Sequence, residues 1–386
     1  MTSRERVQKT INFEEPDRVP IDLGGTTGAS GIHILAYDAL RKYFGLPNGT
    51  VRSNDVMQQL AVIEEEIRRR LHVDVIQISS VSFARNWHGY QLFPSCKVEF
   101  PMELPLTRHG DEWRLVDAAG NRYRKPDTSY YFDSEDGMHW FGTGVPLTDE
   151  ALRQLERDTK HLYESTEYAL AFRFGGTFFS SNPEFLMSLI TEPERIRETL
   201  SRRCDEYIKG ISRINEAIGK YVFCATFGDD FGAQDNPLVS PDTFREVIAP
   251  HYKRFTDWLH ANTDLKFFLH SCGAIMPLMD EIVAMGVDLL NPVQTSSRGM
   301  DPVLLKQKYG KKIVFWGGGC DTQQVLGKRP ADEVIEHVKE RLKIFAPGGG
   351  FVFNQVHAIQ PTVSPEDIAA VFNTAYEYGR YPVTIA

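Results

Sequence analysis

The chain has 386 residues, of which 42% are hydrophobic and 25% charged, and a formal net charge of −9. That balance is ordinary for a soluble globular protein, and an acidic excess without any Lys/Arg-rich run argues against nucleic acid or an anionic membrane surface as partner. The polar N-terminal segment lacks a signal-peptide core, no stretch approaches the ~20 apolar residues of a membrane span, and five cysteines without framework spacing fit a reducing cytoplasm rather than a disulfide scaffold.

The first β-prone run is Arg18–Asp22, followed by Gly24-Gly25-Thr26-Thr27-Gly28. With no Lys-Ser/Thr after it, the glycine run is not a P-loop. It reads as a flexible loop permitting close backbone approach, with a phosphate cradle as the alternative. His33 and His88 are isolated polar candidates. A second strand is expected at Asp74–Ser79, after which residues 83–145 change character. Lys97-Val98-Glu99-Phe100, Glu112-Trp113-Arg114-Leu115 and Asn121-Arg122-Tyr123-Arg124 are short alternating runs, joined by turn-like Arg108–Asp111 and Asp117–Gly120. They predict an antiparallel meander inserted after an early strand, placed over the mouth of the fold as part of a lid. Its aromatic tail (Tyr130, Tyr131, Phe132, Trp140, Phe141) either anchors the insertion or faces a substrate.

Beyond residue 165 the chain alternates strand and helix. Expected strands are Tyr168–Phe174, Tyr221–Phe227, Lys266–Ser271, Val287–Asn291, Lys312–Trp316 and Gly350–Val356. Several are nearly continuous apolar runs, as parallel strands covered on both faces require. Asn182-Pro183-Glu184, Ser240-Pro241-Asp242 and Ser364-Pro365-Glu366-Asp367 are helix starts, with a cap, a proline in the first turn and an acid at the positive end. Gly219, Gly286 and Gly310 close helices. About eight such units predict a (β/α)8 TIM barrel formed by one domain, 1–386, interrupted by the 83–145 insertion. A doubly wound open sheet is the alternative, but no Gly-x-Gly-x-x-Gly follows a strand.

Barrel enzymes place their chemistry at the C-terminal ends of the strands, and four of these ends carry candidate residues. Asp229, Asp230 and Gln234 follow the strand at 221–227, a rim cluster for proton transfer or, failing that, a salt-bridged helix start. His270 and Cys272 end the next strand, two residues apart and so facing one side. Cys320 ends another strand through Gly317-Gly318-Gly319. One imidazole and two thiolates suit a catalytic zinc with an open fourth position; the competing reading is a pair of small buried hydrophobes. Asn354, Gln355, His357 and Gln360 cap the last strand, with His357 a candidate hydrogen-bond partner or general acid. Cys96, Cys204 and Cys224 read as structural.

Several of these segments together resemble the uroporphyrinogen decarboxylase superfamily. They are Arg4-Glu5-Arg6-Val7 through Pro16-Asp17-Arg18-Val19-Pro20, Gly228-Asp229-Asp230 to Gln234 with Ser240-Pro241, and His270-Ser271-Cys272-Gly273. Val287-Asp288-Leu289-Leu290-Asn291, Trp316-Gly317-Gly318 and Thr362-Val363-Ser364-Pro365-Glu366 complete the pattern. The resemblance implies a (β/α)8 barrel and one of two activities. True decarboxylases carry an Arg-Gln-Ala-Gly-Arg type motif that grips the tetrapyrrole's carboxylates, whereas Asp22–Gly28 has no arginine near it. The corrinoid-dependent methyltransferase branch instead carries a His-x-Cys plus distant Cys zinc set, which maps onto His270, Cys272 and Cys320. The resemblance therefore implies a zinc enzyme that moves a methyl group to the Co(I) of a corrinoid (cobalamin) carried by a transient partner protein. The long insertion and its aromatic tail, with walls from Arg173-Phe174 and Phe178-Phe179, favour a methoxylated aromatic donor and O-demethylation. A thiol acceptor of the coenzyme M type is the alternative, with amine or betaine donors and decarboxylation behind it. On this reading Asp229, Asp230 and His357 orient the substrate or protonate the phenolate.

Overall fold

The computed structural model describes residues 1–385 apart from Thr27, Asn48, 136–139 and 143–146. The expected end of the insertion at 145 and one member of the glycine run therefore lie outside the described residues. Seven parallel strands form one continuous sheet in chain order: Val75–Ile78, Ala169–Gly176, Cys224–Gly228, Lys266–His270, Leu289–Asn291, Val314–Trp316 and Phe351–Val352. The extended segment 18–22 closes it. Phe353 N donates to Pro20 O and Asp22 N to Phe353 O on one side, while Asp74 N donates to Ile21 O on the other. The segment is the first stave of a TIM-barrel-like fold and the seven strands are staves two to eight, which matches the expected order and positions.

Alternation along the staves sorts their side chains into two layers. Val75, Ala169, Ala171, Cys224, Phe268, Leu289, Val314, Trp316 and Val352 pack with one another inside the barrel. Their neighbours, among them Phe172, Phe227, Phe267, Leu269 and Phe315, meet the surrounding helices. Val7 and Ile11 of the helix Ser3–Ile11 belong to the inner cluster, so this helix plugs the N-terminal end of the barrel. The three expected helix starts carry the caps their residues suggest: Asn182, Ser240 and Ser364 each accept a backbone N–H of the first turn. Gly286 ends its helix at φ +88°, whereas Gly219 and Gly310 stay right-handed.

The insertion is built differently from the single meander expected. Leu106–His109, Glu112–Val116, Arg122–Pro126 and Asp133–Ser134 do form an antiparallel meander. His88–Phe93 and Cys96–Phe100, however, belong to a separate sheet that recruits Val51–Asp55 and Leu60–Ala61, with Val51 paired in parallel to Val98. The aromatic tail divides. Phe132 and Phe141 are buried, while Tyr130 and Trp140 are exposed. Tyr131 donates to Gln360 Oε1 at 2.5 Å, and Phe132 N donates to Met57 O. The tail is thereby tied to loops at the C-terminal end of the barrel. Among the described residues no helix is long and apolar enough to cross a membrane.

Candidate metal centre at the barrel mouth

His270 is the last residue of the fifth stave, two positions beyond lumen-facing Phe268, so its ring enters the barrel mouth. Its Nδ1 lies 2.6 Å from Asn291 Oδ1. Asn291 Nδ2 donates to Trp316 O at 2.8 Å, which fixes the amide with its oxygen toward the ring. That network assigns the proton to Nδ1 and leaves the Nε2 lone pair pointing to Cys272, whose Sγ is 3.3 Å away. Cys272 follows the strand in a turn pinned twice: its own N–H donates to Asp230 Oδ1 at 2.8 Å, and Gly273 N–H donates to Gln294 Oε1 at 2.9 Å. His357, beyond the eighth stave, brings its ring to 5.9 Å from that of His270. The donor atoms of His270, Cys272 and His357 lie within 4.8 Å of one another.

Two imidazoles and one thiolate form a borderline-soft set that suits zinc. The electrostatics agree. Burial first, then Asp230, pushes the Cys272 thiol well up. Burial and the neighbouring His270 hold His357 down at about 4 and therefore neutral. A dication supplies the charge that converts such a thiol to a thiolate, and neutral imidazole is already the ligand form. The Asn291 contact is the orienting bond that a metal-binding histidine usually makes through its other nitrogen.

Residues 180–378, slightly more than half of the chain, match the family model described as "Uroporphyrinogen decarboxylase (URO-D)". The chain belongs to the uroporphyrinogen decarboxylase family. A uroporphyrinogen decarboxylase of Magnetococcus marinus is 24% identical over 148 residues, a match that spans 37% of this chain and only 39% of that protein. A methyltransferase from Methanosarcina mazei shares the fold over 98% of this chain and 99% of its own, with a TM-score of 0.58 and 14% identity.

Within this family member the remaining sequence-predicted residues take separate places. Cys320 is not in the cluster. It is fully buried in the hydrophobic layer outside the lumen, its Sγ 4.0 Å from Asp321 O, and burial pushes its thiol up. Its backbone carbonyl accepts from Val356 N–H and so aligns the chain entering His357. Asp230 stands at the cluster's edge, with Oδ1 3.6 Å from His270 Nε2 and a half-exposed side chain. Asp229 is turned elsewhere. Its buried carboxylate accepts from Phe178 N at 2.8 Å, from Phe179 N at 3.2 Å, and from the Thr177 and Tyr252 hydroxyls, and burial pushes it up to about 7. It locks the loop after the third stave.

The glycine loop is held tightly. Asp22 accepts from Gly25 N, Thr26 Oγ1 and Trp316 Nε1, and Gln355 Nε2 donates to the carbonyls of Ser30 and Gly31. His33 caps the helix Ile34–Tyr43 through Leu35 N–H, with its other nitrogen 3.2 Å from Tyr130 O. His88 lies on an insertion strand opposite Phe100. Asn291 escaped the sequence reading, which took it only as a strand end; the available signal was a polar residue ending an otherwise apolar stave.

Proposed function

We propose that the protein is a zinc-dependent methyltransferase that takes a methyl group from a methoxylated aromatic and passes it to the Co(I) of a corrinoid carried by a partner protein. The O–CH3 bond of the ether breaks with its electron pair left on oxygen, a Co–CH3 bond forms with both electrons from cobalt, and phenolate leaves. The observation that carries this reading is the His270–Cys272–His357 donor cluster at the mouth of a barrel of this family. Zinc held there would supply Lewis acidity toward the ether oxygen. His270, Cys272 and His357 are its proposed ligands. Asp230 stands beside them, where its carboxylate can exchange a proton with the departing phenolate oxygen. The insertion tail is tied beside the mouth through Tyr131 and Gln360, and a protein-borne corrinoid would approach from that side.

The arginines near the N-terminus support methyl transfer over decarboxylation of a polycarboxylate. Arg6 and Arg18 are committed to Asp74, with Nη1 of each 2.7 Å from its carboxylate, and Arg6 also to Asp17. They sit at the end of the barrel closed by the first helix, away from the cluster.

Zinc content of purified wild type, His357→Ala, Cys272→Ser and Cys320→Ser, paired with methyl transfer from a methoxyarene panel to a Co(I) corrinoid, tests the proposal. About one zinc per chain is expected in wild type and Cys320→Ser, with loss of zinc and turnover in the other two. Zinc lost from Cys320→Ser but kept by His357→Ala would restore Cys320 as third ligand. Full turnover without metal would refute the mechanism.

A further inference from the structure

The third stave carries a cation that the ligand cluster does not use. Ala169 and Ala171 line the lumen, so Arg173, two positions on, projects from the same face at the rim. The register slips between Arg173 and Gly176, opposite Thr226 and Phe227, the kind of irregularity that re-aims a side chain at a strand end. Arg173 lines a cavity of about 270 Å³ together with Asp55, Ser79, Trp140 and Phe141. Among the described residues its guanidinium makes no hydrogen bond or ion pair. Asp55 is close enough for the arginine's charge to act on it, yet its buried Oδ2 also lacks a hydrogen-bond partner among the described residues. A half-buried guanidinium with no hydrogen bond among the described residues thus faces a cavity with aromatic walls.

We infer that Arg173 binds the carboxylate of an aromatic acid, so that the methyl donor is a methoxylated aromatic carboxylate rather than a neutral ether. This rests on the methyl-transfer reading for the donor's identity, but not for the anion site itself. A guanidinium matches a carboxylate through two parallel N–H bonds. Trp140 and Phe141 provide flat apolar surface for the ring. On the barrel side the cavity is walled by Ser79 and Arg173, at the ends of the second and third staves, and the metal cluster lies at the fifth and eighth. Third and fifth staves are about 10 Å apart, two strand spacings. A ring held by its carboxylate at Arg173 therefore extends across the mouth toward the cluster, with its methoxyl group leading.

The test is calorimetric titration of the zinc-loaded full chain with 3-methoxybenzoate, 3-methoxybenzamide and benzoate, on wild type, Arg173→Gln and Arg173→Lys. Wild type is expected to bind the methoxy acid at least tenfold more tightly than the amide. Arg173→Gln should abolish that preference while leaving zinc content and amide affinity unchanged, and Arg173→Lys should keep part of it. Should Arg173→Gln fold poorly, the wild-type preference must still shrink as salt is raised. No acid preference in wild type, or one that survives Arg173→Gln, overturns the inference. Benzoate has no methyl group to give. Arg173-dependent benzoate binding without transfer from any ether would refute only the methyl-transfer reading. Transfer from neutral ethers with an indifferent Arg173→Gln would refute only the anion site.

Discussion

Asn291 acts on the cluster without belonging to it. Its oxygen accepts a hydrogen bond from His270 Nδ1 and its nitrogen donates to the Trp316 carbonyl, so the ring can neither flip nor exchange tautomers without breaking a buried bond. Orienting partners of this kind change metal affinity by roughly 10–100-fold when removed. Asn291→Leu is expected to weaken zinc binding by that factor, and Asn291→Asp, which keeps the acceptor, to retain it; competition against a chromophoric chelator reads both. Asp229 supports a prediction about pH. Burial lifts its carboxylate from the usual 3.8 to about 7, so between those values the folded chain holds a proton that the unfolded chain has released. Its contribution to stability is fullest below about pH 4 and falls as pH rises toward 7, by roughly 4 kcal/mol at most. Urea titrations at pH 5 and pH 8 should show wild type losing more stability than Asp229→Asn over that interval. Equal losses would mean that the four donors around the carboxylate hold it ionised throughout.

Two loops set the distance between Asp230 and Cys272. They follow the fourth and fifth staves and meet backbone to backbone, with Ala274 N–H donating to Ala233 O at 2.8 Å. Gly273 has φ +90°, and a Cβ there would lie 2.3 Å from the carbonyl carbon and oxygen of Gly232. No side-chain rotation relieves that contact, so Gly273→Ala must drive the loops apart and carry Cys272 away from His270. At least a tenfold loss of zinc affinity is expected with the far-UV circular dichroism of the barrel intact; unchanged affinity would show that the turn has slack. Sequence made the staves and helix starts at this scale legible because each is a local pattern of apolar run, cap and proline. The sheet joining Val51–Asp55 to Cys96–Phe100 was not, since Val51-Arg52-Ser53-Asn54-Asp55 reads as polar loop and becomes a strand only by pairing with a partner more than forty residues away.

At the scale of the whole barrel, the rim donors were legible and their grouping was not. His270 and Cys272 share a strand end and were bound to meet. Cys320 and His357 both follow strands, and which of them turns inward depends on how the Gly317–Gly319 turn and the eighth stave lie beside each other, a non-local matter. Arg173 reads from the sequence as part of a wall for an aromatic ring, because sequence does not reveal that its guanidinium makes no hydrogen bond among the described residues. The opposite end of the barrel shows what partnered charges do. Asp74, fully buried, accepts from Ser3 Oγ, from Arg6, from two nitrogens of Arg18 and from Ile21 N–H. One carboxylate thus ties the plugging helix and the first stave to the start of the second, at the place where the sheet closes. Removing one member of a buried charge cluster leaves the others desolvated and uncompensated, at a cost of about 3–5 kcal/mol. Asp74→Ala is therefore expected to lower the unfolding free energy measured in urea by that amount. Because Asp74 precedes the second stave while the donor cluster lies beyond the other ends of the staves, zinc per folded chain should stay at the wild-type value. Loss of zinc in step with stability would mean instead that closure of the barrel and assembly of the metal centre are one cooperative event.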